Sequence, residues 1–452
     1  MKALRADLLD FTAEPVFGQP SLQGVRYRPD HWLLIGDDGR IAGVQPPGWQ
    51  PGADVQAEDR RGHLLLPGFI DTHVHSAQLE VVASWGSELI DWLERHTFPA
   101  ELAWHDAAFA AAGSARFLDA LLAHGSTAAV VFPTVHAGSV DALFQAAQAR
   151  GMRLVAGKVL MDRHAPDGLR DDVDGARADC LALFERWHGR GRCSGAVTVR
   201  FAPTSTPEQL AMAGELCRTD PTLVLQTHVA ENRAEVDWVA RLFPDARSYL
   251  DVYDRHGLLH ARSVLAHGIW LDDADRARVA ASGAQIAHCP SSNLFLGSGL
   301  FDWARARDAG CTVTLASDVG GGSSLSMPRT LADAYRVQAL RGTRVDAFTL
   351  LYAATRGAAR SLGLGHEIGG LDAGLAADVV LWDWARGPVA GHRDAVACGQ
   401  VPPLPAQGLH ERLFAWAMQA DQGSVVATWV HGACRYRRPG AGVGVDEGTA
   451  SC

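Results

Sequence analysis

The chain has 452 residues, 47% of them hydrophobic and 20% charged, which suits a globular protein with one large unit and a smaller one. Its 41 basic and 51 acidic side chains leave a formal charge of −10, which repels phosphate backbones and anionic bilayers, so neither nucleic acid nor membrane is an expected partner. No run reaches the roughly 18 apolar residues of a membrane span, the eight cysteines form no CxxC pair, and residues 1–15 carry charges where a signal peptide needs an apolar core; free thiols and a cytoplasmic location are therefore expected.

Residues 1–66 read as short strands and turns. In RYRPDHWLLIGDDGRIAGVQPPG (26–48) two apolar runs flank DDGR, a hairpin signal. HLLLPGFIDTHVH (63–75) then ends an apolar run in polar residues. From about 70 to 370 short apolar runs alternate with stretches of helical period. Such runs are TAAVVFPTV (127–135), RLVAGKVLM (153–161), AVTVRFAP (196–203), LVLQTHVA (223–230), SVLAHGIW (263–270), AQIAHCP (284–290) and VTLASDVG (313–320). Alternation of this kind implies parallel strands covered by helices, and about eight units over 300 residues predict a closed (β/α)8 TIM-like barrel. Strand character returns at IGGLDAGLAADVVLWDW (368–384) and GSVVATWVHGACRYR (423–437), with a helical insert at LHERLFAWAMQAD (409–421). Neither chain end can form a core alone, so the two are expected to pair into one small β-sandwich. The domain reading is 1–66 and 371–436 for the sandwich and 67–370 for the barrel. The Gly-rich residues 437–452 have no packing pattern and read as a disordered tail.

A barrel offers its ligand the polar residues at the C-terminal ends of its strands. Those ends supply His73 and His75, Arg200, His228, His267 and Asp318. His73 and His75 stand two apart, so both imidazoles, with Asp71, share one strand face. His228 ends an apolar strand, where a lone imidazole is either a ligand or a core histidine bonded to a carbonyl. Glu231, three residues on, either overhangs a metal or sits as an acid at a helix N-terminus. Asp318 precedes Gly320, Gly321 and Gly322, which suggests a loop passing close to something, and a buried carboxylate needs a metal or donors. His288 has the same placement as the others but reads as structural, orienting the loop 291–293. Imidazoles with a carboxylate suit zinc, and less specifically iron, and zinc lowers the pKa of a bound water to about 7.

The segments PGFIDTHVHSAQ (67–78), ELIDWLERHTFP (88–99), VRFAPTSTPEQLAMA (199–213), QTHVAEN (226–232), VLAHGIWL (264–271), AHCPSSNLFLGSG (287–299) and ASDVGGGSSLSM (316–327) resemble the amidohydrolase superfamily, and within it the guanine deaminases, across nearly the whole barrel. The resemblance implies one zinc ion per chain, held by His73, His75, His228 and Asp318. It implies that Glu231 shuttles a proton and that His267 and Asp318 position the water and relay protons. It further implies that Gln78, Arg200 and Phe201, with His228 and Glu231, line a purine pocket. The implied reaction is the hydrolysis of guanine to xanthine and ammonia in purine catabolism, by a homodimer. Ser76-Ala77 departs from the bulkier Tyr-Pro seen before the glutamine in relatives, which is expected to alter the pocket's shape. Lys158 is the nearest lysine to a strand end, and the resemblance gives it no metal role. The other readings are an aminohydrolase for 8-oxoguanine, another purine, a pterin or a triazine; a binuclear hydrolase with a bridging lysine; and a non-catalytic relative, which should have lost a ligand.

Overall fold

Aliphatic and β-branched runs bounded by Gly, Pro and Asp become strands, and the helix after each one covers its face. The computed structural model describes residues 1–86, 89–399 and 405–442. The N-terminal part gives β1 (Lys2–Phe11), β2 (Val25–Ile35), β3 (Ile41–Gln45) and β4 (Gln56–Pro67). The middle gives β5 (Phe69–His75), β6 (Ser126–Phe132), β7 (Arg153–Ala156), β8 (Val159–Leu160) and β9 (Cys193–Val199). It continues with β10 (Val224–Val229), β11 (Ser263–His267), β12 (Gln285–His288) and β13 (Thr312–Leu315). β14 (Val379–Asp383), β15 (Val425–Val430) and β16 (Ala433–Arg437) come last.

Strands β5, β6, β7, β9, β10, β11, β12 and β13 lie side by side in that order, all parallel, with the short β8 beside β9. The first and last of them meet. Asp318 N donates to His73 O (2.9 Å), His75 N donates to Val319 O (2.8 Å), and Asp71 accepts from Ser317 N (3.0 Å). The sheet thus closes into the expected (β/α)8 barrel. The run 153–161, expected as one strand, is interrupted at Gly157 and Lys158. A Cβ at Gly157 would collide with the Ala196 carbonyl of β9, and Lys158 is buried against Asp171.

The two chain ends meet at β4 and β14, which pair antiparallel from Pro67 opposite Val379 to His63 opposite Asp383. The resulting seven-stranded sheet, in the order β16-β15-β14-β4-β1-β2-β3, builds the expected β-sandwich. β2 and β3 form the hairpin read at DDGR. β1 and β4 pair in parallel, with a register slip between Arg5 and Asp7 of the kind that bends a strand. Helix Pro388–Cys398 was not expected from the sequence. The insert at 409–421 is the helix Ala406–Gln419. Order extends into the expected tail: Arg437 ends β16 and pairs with Glu58 (2.8 Å), and Arg438 pairs with Asp383 (2.6 Å). The rest of that tail, 443–452, lies outside the described residues. Cys180, Cys193, Cys217, Cys289, Cys311 and Cys434 carry free thiols. Among the described residues no helix is long and apolar enough to cross a membrane.

Candidate active site

Four strand ends converge on one point. His73 and His75 come from β5, His228 from β10 and His267 from β11, while Asp318 stands three residues past β13. The donor atoms of His73, His75, His228 and Asp318 all lie within 4.8 Å of one another, and all four residues are buried. His73 Nε2 and His75 Nε2 sit 3.2 and 3.3 Å from Asp318 Oδ1. That spacing is about the edge of a tetrahedron with Zn–N bonds of about 2.0–2.1 Å.

Electrostatics prepare the set for a cation. Burial lowers His73 to about 4 and holds His228 well below the ordinary imidazole value, so both rings are neutral donors at neutral pH. Burial opposes ionisation of Asp318, but the surrounding histidines more than offset it and keep its carboxyl well below the usual range. His228 Nδ1 donates to Arg200 O (2.6 Å), which leaves Nε2 for a metal. Among the described residues His73 Nε2 has no hydrogen-bond partner. These donors fit one zinc ion.

A second grouping, His73, His267, Cys289 and Asp318, shares two members with the first, so the two cannot fill independently. Burial pushes the Cys289 thiol well up, and Cys289 Sγ donates to Ala287 O (3.3 Å), both of which disfavour the thiolate. Lys158 is engaged by Asp171 Oδ1 at 2.5 Å and by the Val135 carbonyl, away from the cluster. The centre is therefore mononuclear, and metal analysis of purified protein should return about one transition ion per chain. A reproducible value near two, with both ions needed for activity, would contradict this.

Above the cluster lies a pocket of about 420 Å³. His75, Gln78, Arg200, Phe201, His228, Glu231, His267 and Asp318 all line it, so the sequence-derived substrate residues come together. His73 lies among the metal donors without lining it. Leu89, Trp92, Leu93 and Leu296 complete an apolar wall that sequence reading had not assigned. Glu231 accepts from Ser298 Oγ at Oε1 (3.0 Å), and its Oε2 lies 3.4 Å from His267 Nε2. Burial raises the Glu231 carboxyl to about 7, where a carboxyl both gives and takes a proton at neutral pH. His267 Nδ1 donates to Asn293 Oδ1 (2.8 Å), so its Nε2 faces Glu231 and Asp318 (3.6 Å). Burial alone would lower His267, yet the carboxylates of Glu231 and Asp318 hold it above its ordinary value.

The backbone is strained at the same place: Ala230, His267 and Asp318 have φ of 48°, 71° and 49°. The glycine run passes close, as expected. A Cβ on Gly320 would lie 2.7 Å from Gln78 O, and one on Gly321 would lie 2.8 Å from Ser292 Oγ.

Several sequence expectations place differently. Asp71 stays out of the donor set; its carboxylate accepts from the Ser317 amide and hydroxyl and braces the start of the loop that carries Asp318. His288 is fully buried against Phe301 (4.7 Å), and among the described residues neither ring nitrogen has a hydrogen-bond partner; residues 291–293 lie in the helix Pro290–Phe295 rather than in a loop. Ser76 and Ala77 are buried off the pocket, and Ala77 packs on Trp104 and Ala110. The small pair therefore changes packing behind the pocket rather than its outline. Arg200 both lines the pocket and forms a buried ion pair with Glu101, a residue sequence reading did not single out.

Residues 64–434 match the amidohydrolase family. The chain is 39% identical to the guanine deaminase of Escherichia coli (strain K12) over 97% of its own length and 98% of the relative's. It is 38% identical to a probable guanine deaminase of Deinococcus radiodurans, over 97% of this chain and 99% of that one. Its fold is similar to the crystal structure of guanine deaminase from Bradyrhizobium japonicum, with a TM-score of 0.91, 30% identity, and coverage of 96% and 99% of the two chains.

Proposed function

This chain belongs to the amidohydrolase family and to its guanine deaminases, and from that membership and the pocket's make-up we propose how it hydrolyses guanine to xanthine and ammonia. The observation that carries the reading is the layout of the pocket. Gln78 and Arg200 line one apolar-walled chamber together with Glu231, His267 and Asp318. The rings of Phe201 and Trp92 in its lining suit a flat aromatic base.

His73, His75, His228 and Asp318 would hold a zinc ion, which when bound would supply a water acidified to a pKa of about 7. The Arg200 guanidinium and the Gln78 amide donate to the carbonyl edge of the base and fix which ring carbon faces the cluster. Glu231 takes the proton released by the attacking water and delivers it to the ring nitrogen beside the amine-bearing carbon. His267, held by Asn293, and Asp318 orient the water and relay the proton that lets ammonia leave. The buried walls exclude bulk water, which strengthens each of these contacts.

We further read 1–66 with 371–436 and 67–370 as the two domains, the chain as cytoplasmic, and the assembly as a homodimer. The free cysteines support a reducing compartment. A mass measured in solution tests the homodimer.

Arg200 tests substrate choice. Its ion pair with Glu101 braces the wall, while its place in the pocket lets it read the base, so loss of activity alone decides nothing. If Arg200 reads the carbonyl, Arg200→Ala should lose much more kcat/KM with guanine than with 2-aminopurine, which lacks that carbonyl. One lost charged hydrogen bond corresponds to a change in that ratio of roughly 10–100-fold. Equal losses with metal intact would leave Arg200 a brace only.

A further inference from the structure

Residues Leu89–Leu102 form one helical segment with a break in its period. It is α-helical at Leu89–Trp92, makes a π turn at Leu93–Thr97, and is α-helical again at Phe98–Leu102. Single π turns inside helices recur at functional sites. The first part presents Leu89 and Trp92 to the pocket, and the π turn opens with Leu93 in the same wall. The second part holds Arg200. The guanidinium carbon lies 5.4 Å from the Phe98 ring centroid, and Nη1 donates to both oxygens of Glu101, at 2.8 and 2.6 Å. Phe98 and Glu101 are three residues apart and so share a helix face.

Glu101 also reaches the second polar residue of the pocket. Gln78 Nε2 donates to Glu101 Oε1 (3.0 Å), and Gln78 Oε1 accepts from Gly320 N (3.2 Å). Glu101 is fully buried and Arg200 is 3% exposed. A buried charge with no counter-charge is costly, so each of the two requires the other. The pairing is one-sided. Glu101 occupies Nη1, and among the described residues neither Nε nor Nη2 of Arg200 has a protein hydrogen-bond partner. One edge of the guanidinium is fixed while the other stays available. Gln78 is fixed at both ends of its amide, with one Nε2 hydrogen left to donate.

We propose that Glu101 is the positioning residue for carbonyl recognition: from the pocket-covering helix it sets the direction of the Arg200 and Gln78 donors together. This rests on the guanine deaminase reading. Glu101 touches neither substrate nor metal, so it acts only through those two side chains. It also ties the apolar wall to the polar end of the pocket, so the face and the edge of the base are read by one connected unit.

Glu101→Gln tests this. Glutamine keeps the shape, removes the counter-charge of Arg200 and turns an amide donor toward other donors. Metal content should stay at the wild-type value. KM for guanine should rise more than kcat falls, and the guanine to 2-aminopurine ratio of kcat/KM should drop on the order of 10–100-fold. Glu101→Asp keeps the charge one methylene short and should recover part of the ratio. It carries the test alone if Glu101→Gln does not fold, by a ratio below wild type at unchanged metal content. A purely structural brace would lower thermal stability and reduce both substrates alike. An unchanged ratio, or equal losses on both substrates, overturns the proposal while leaving the deaminase reading in place. A wild-type enzyme that shows no preference for guanine overturns that reading, and this proposal with it.

Discussion

Replacing Glu231 with glutamine is expected to leave one metal ion per chain while cutting turnover by about 10²–10⁴-fold, the usual worth of a positioned general acid–base. The sequence left two roles for this residue, and the structure separates them. The helix Arg233–Leu242 is capped by Asn232 and Glu235 in a reciprocal capping box, so Glu231 is not needed as its capping acid. Glu235 Oε2 also accepts from Glu231 N (2.9 Å), and Tyr249 donates to Glu235 Oε1 (2.7 Å), which fixes the backbone beneath the carboxylate. Glu231 is thereby free to face His267 and the pocket with its carboxyl raised to about 7 by burial. Glutamine preserves the acceptor for Ser298 and cannot exchange a proton. Activity within tenfold of wild type, at full metal content, would remove Glu231 from the proton path.

Replacing His228 with alanine is expected to abolish metal binding and activity together. His228 supplies one of four donors, and its ring lies between those of His75 (5.3 Å) and His267 (5.5 Å), so nothing adjacent can substitute without breaking another contact. Without the ion the pKa of water stays far above neutrality rather than near 7, and no side chain in the pocket replaces that shift. Unchanged circular dichroism with lost metal is the expected pair of readings. Full metal occupancy in the variant would mean that His228 is not a ligand.

Much of this site was legible because barrel chemistry sits at strand ends and strand ends are visible as polar residues closing apolar runs. His73, His75, Arg200, His228, His267 and Asp318 all carry that signal. Gln78 and Phe201 do not; they lie just past strand ends, and only the family resemblance singled them out. Glu101 was missed for a physical reason. An acid on a helix is ordinarily solvated, and nothing local distinguishes one that turns inward to meet an arginine 99 positions later. Its spacing from Phe98 on an otherwise apolar face was the only cue. Asn293 was missed likewise, because its bond to His267 depends on how the helix Pro290–Phe295 sits against the end of β11. Asp71 shows the converse: strand periodicity puts it on the face of His73 and His75, but only the structure shows that its hydrogen bonds to Ser317 serve barrel closure. The pairing of β4 with β14, across more than 300 residues, was inferred only because neither end could bury a core alone.

Incubating purified, zinc-loaded protein with guanine and following both products tests the central claim most directly. One xanthine and one ammonia should appear for each guanine consumed, and chelation of the metal should stop both. Intact guanine, alongside ready release of ammonia from a pterin, a triazine or another aminated ring, would contradict it.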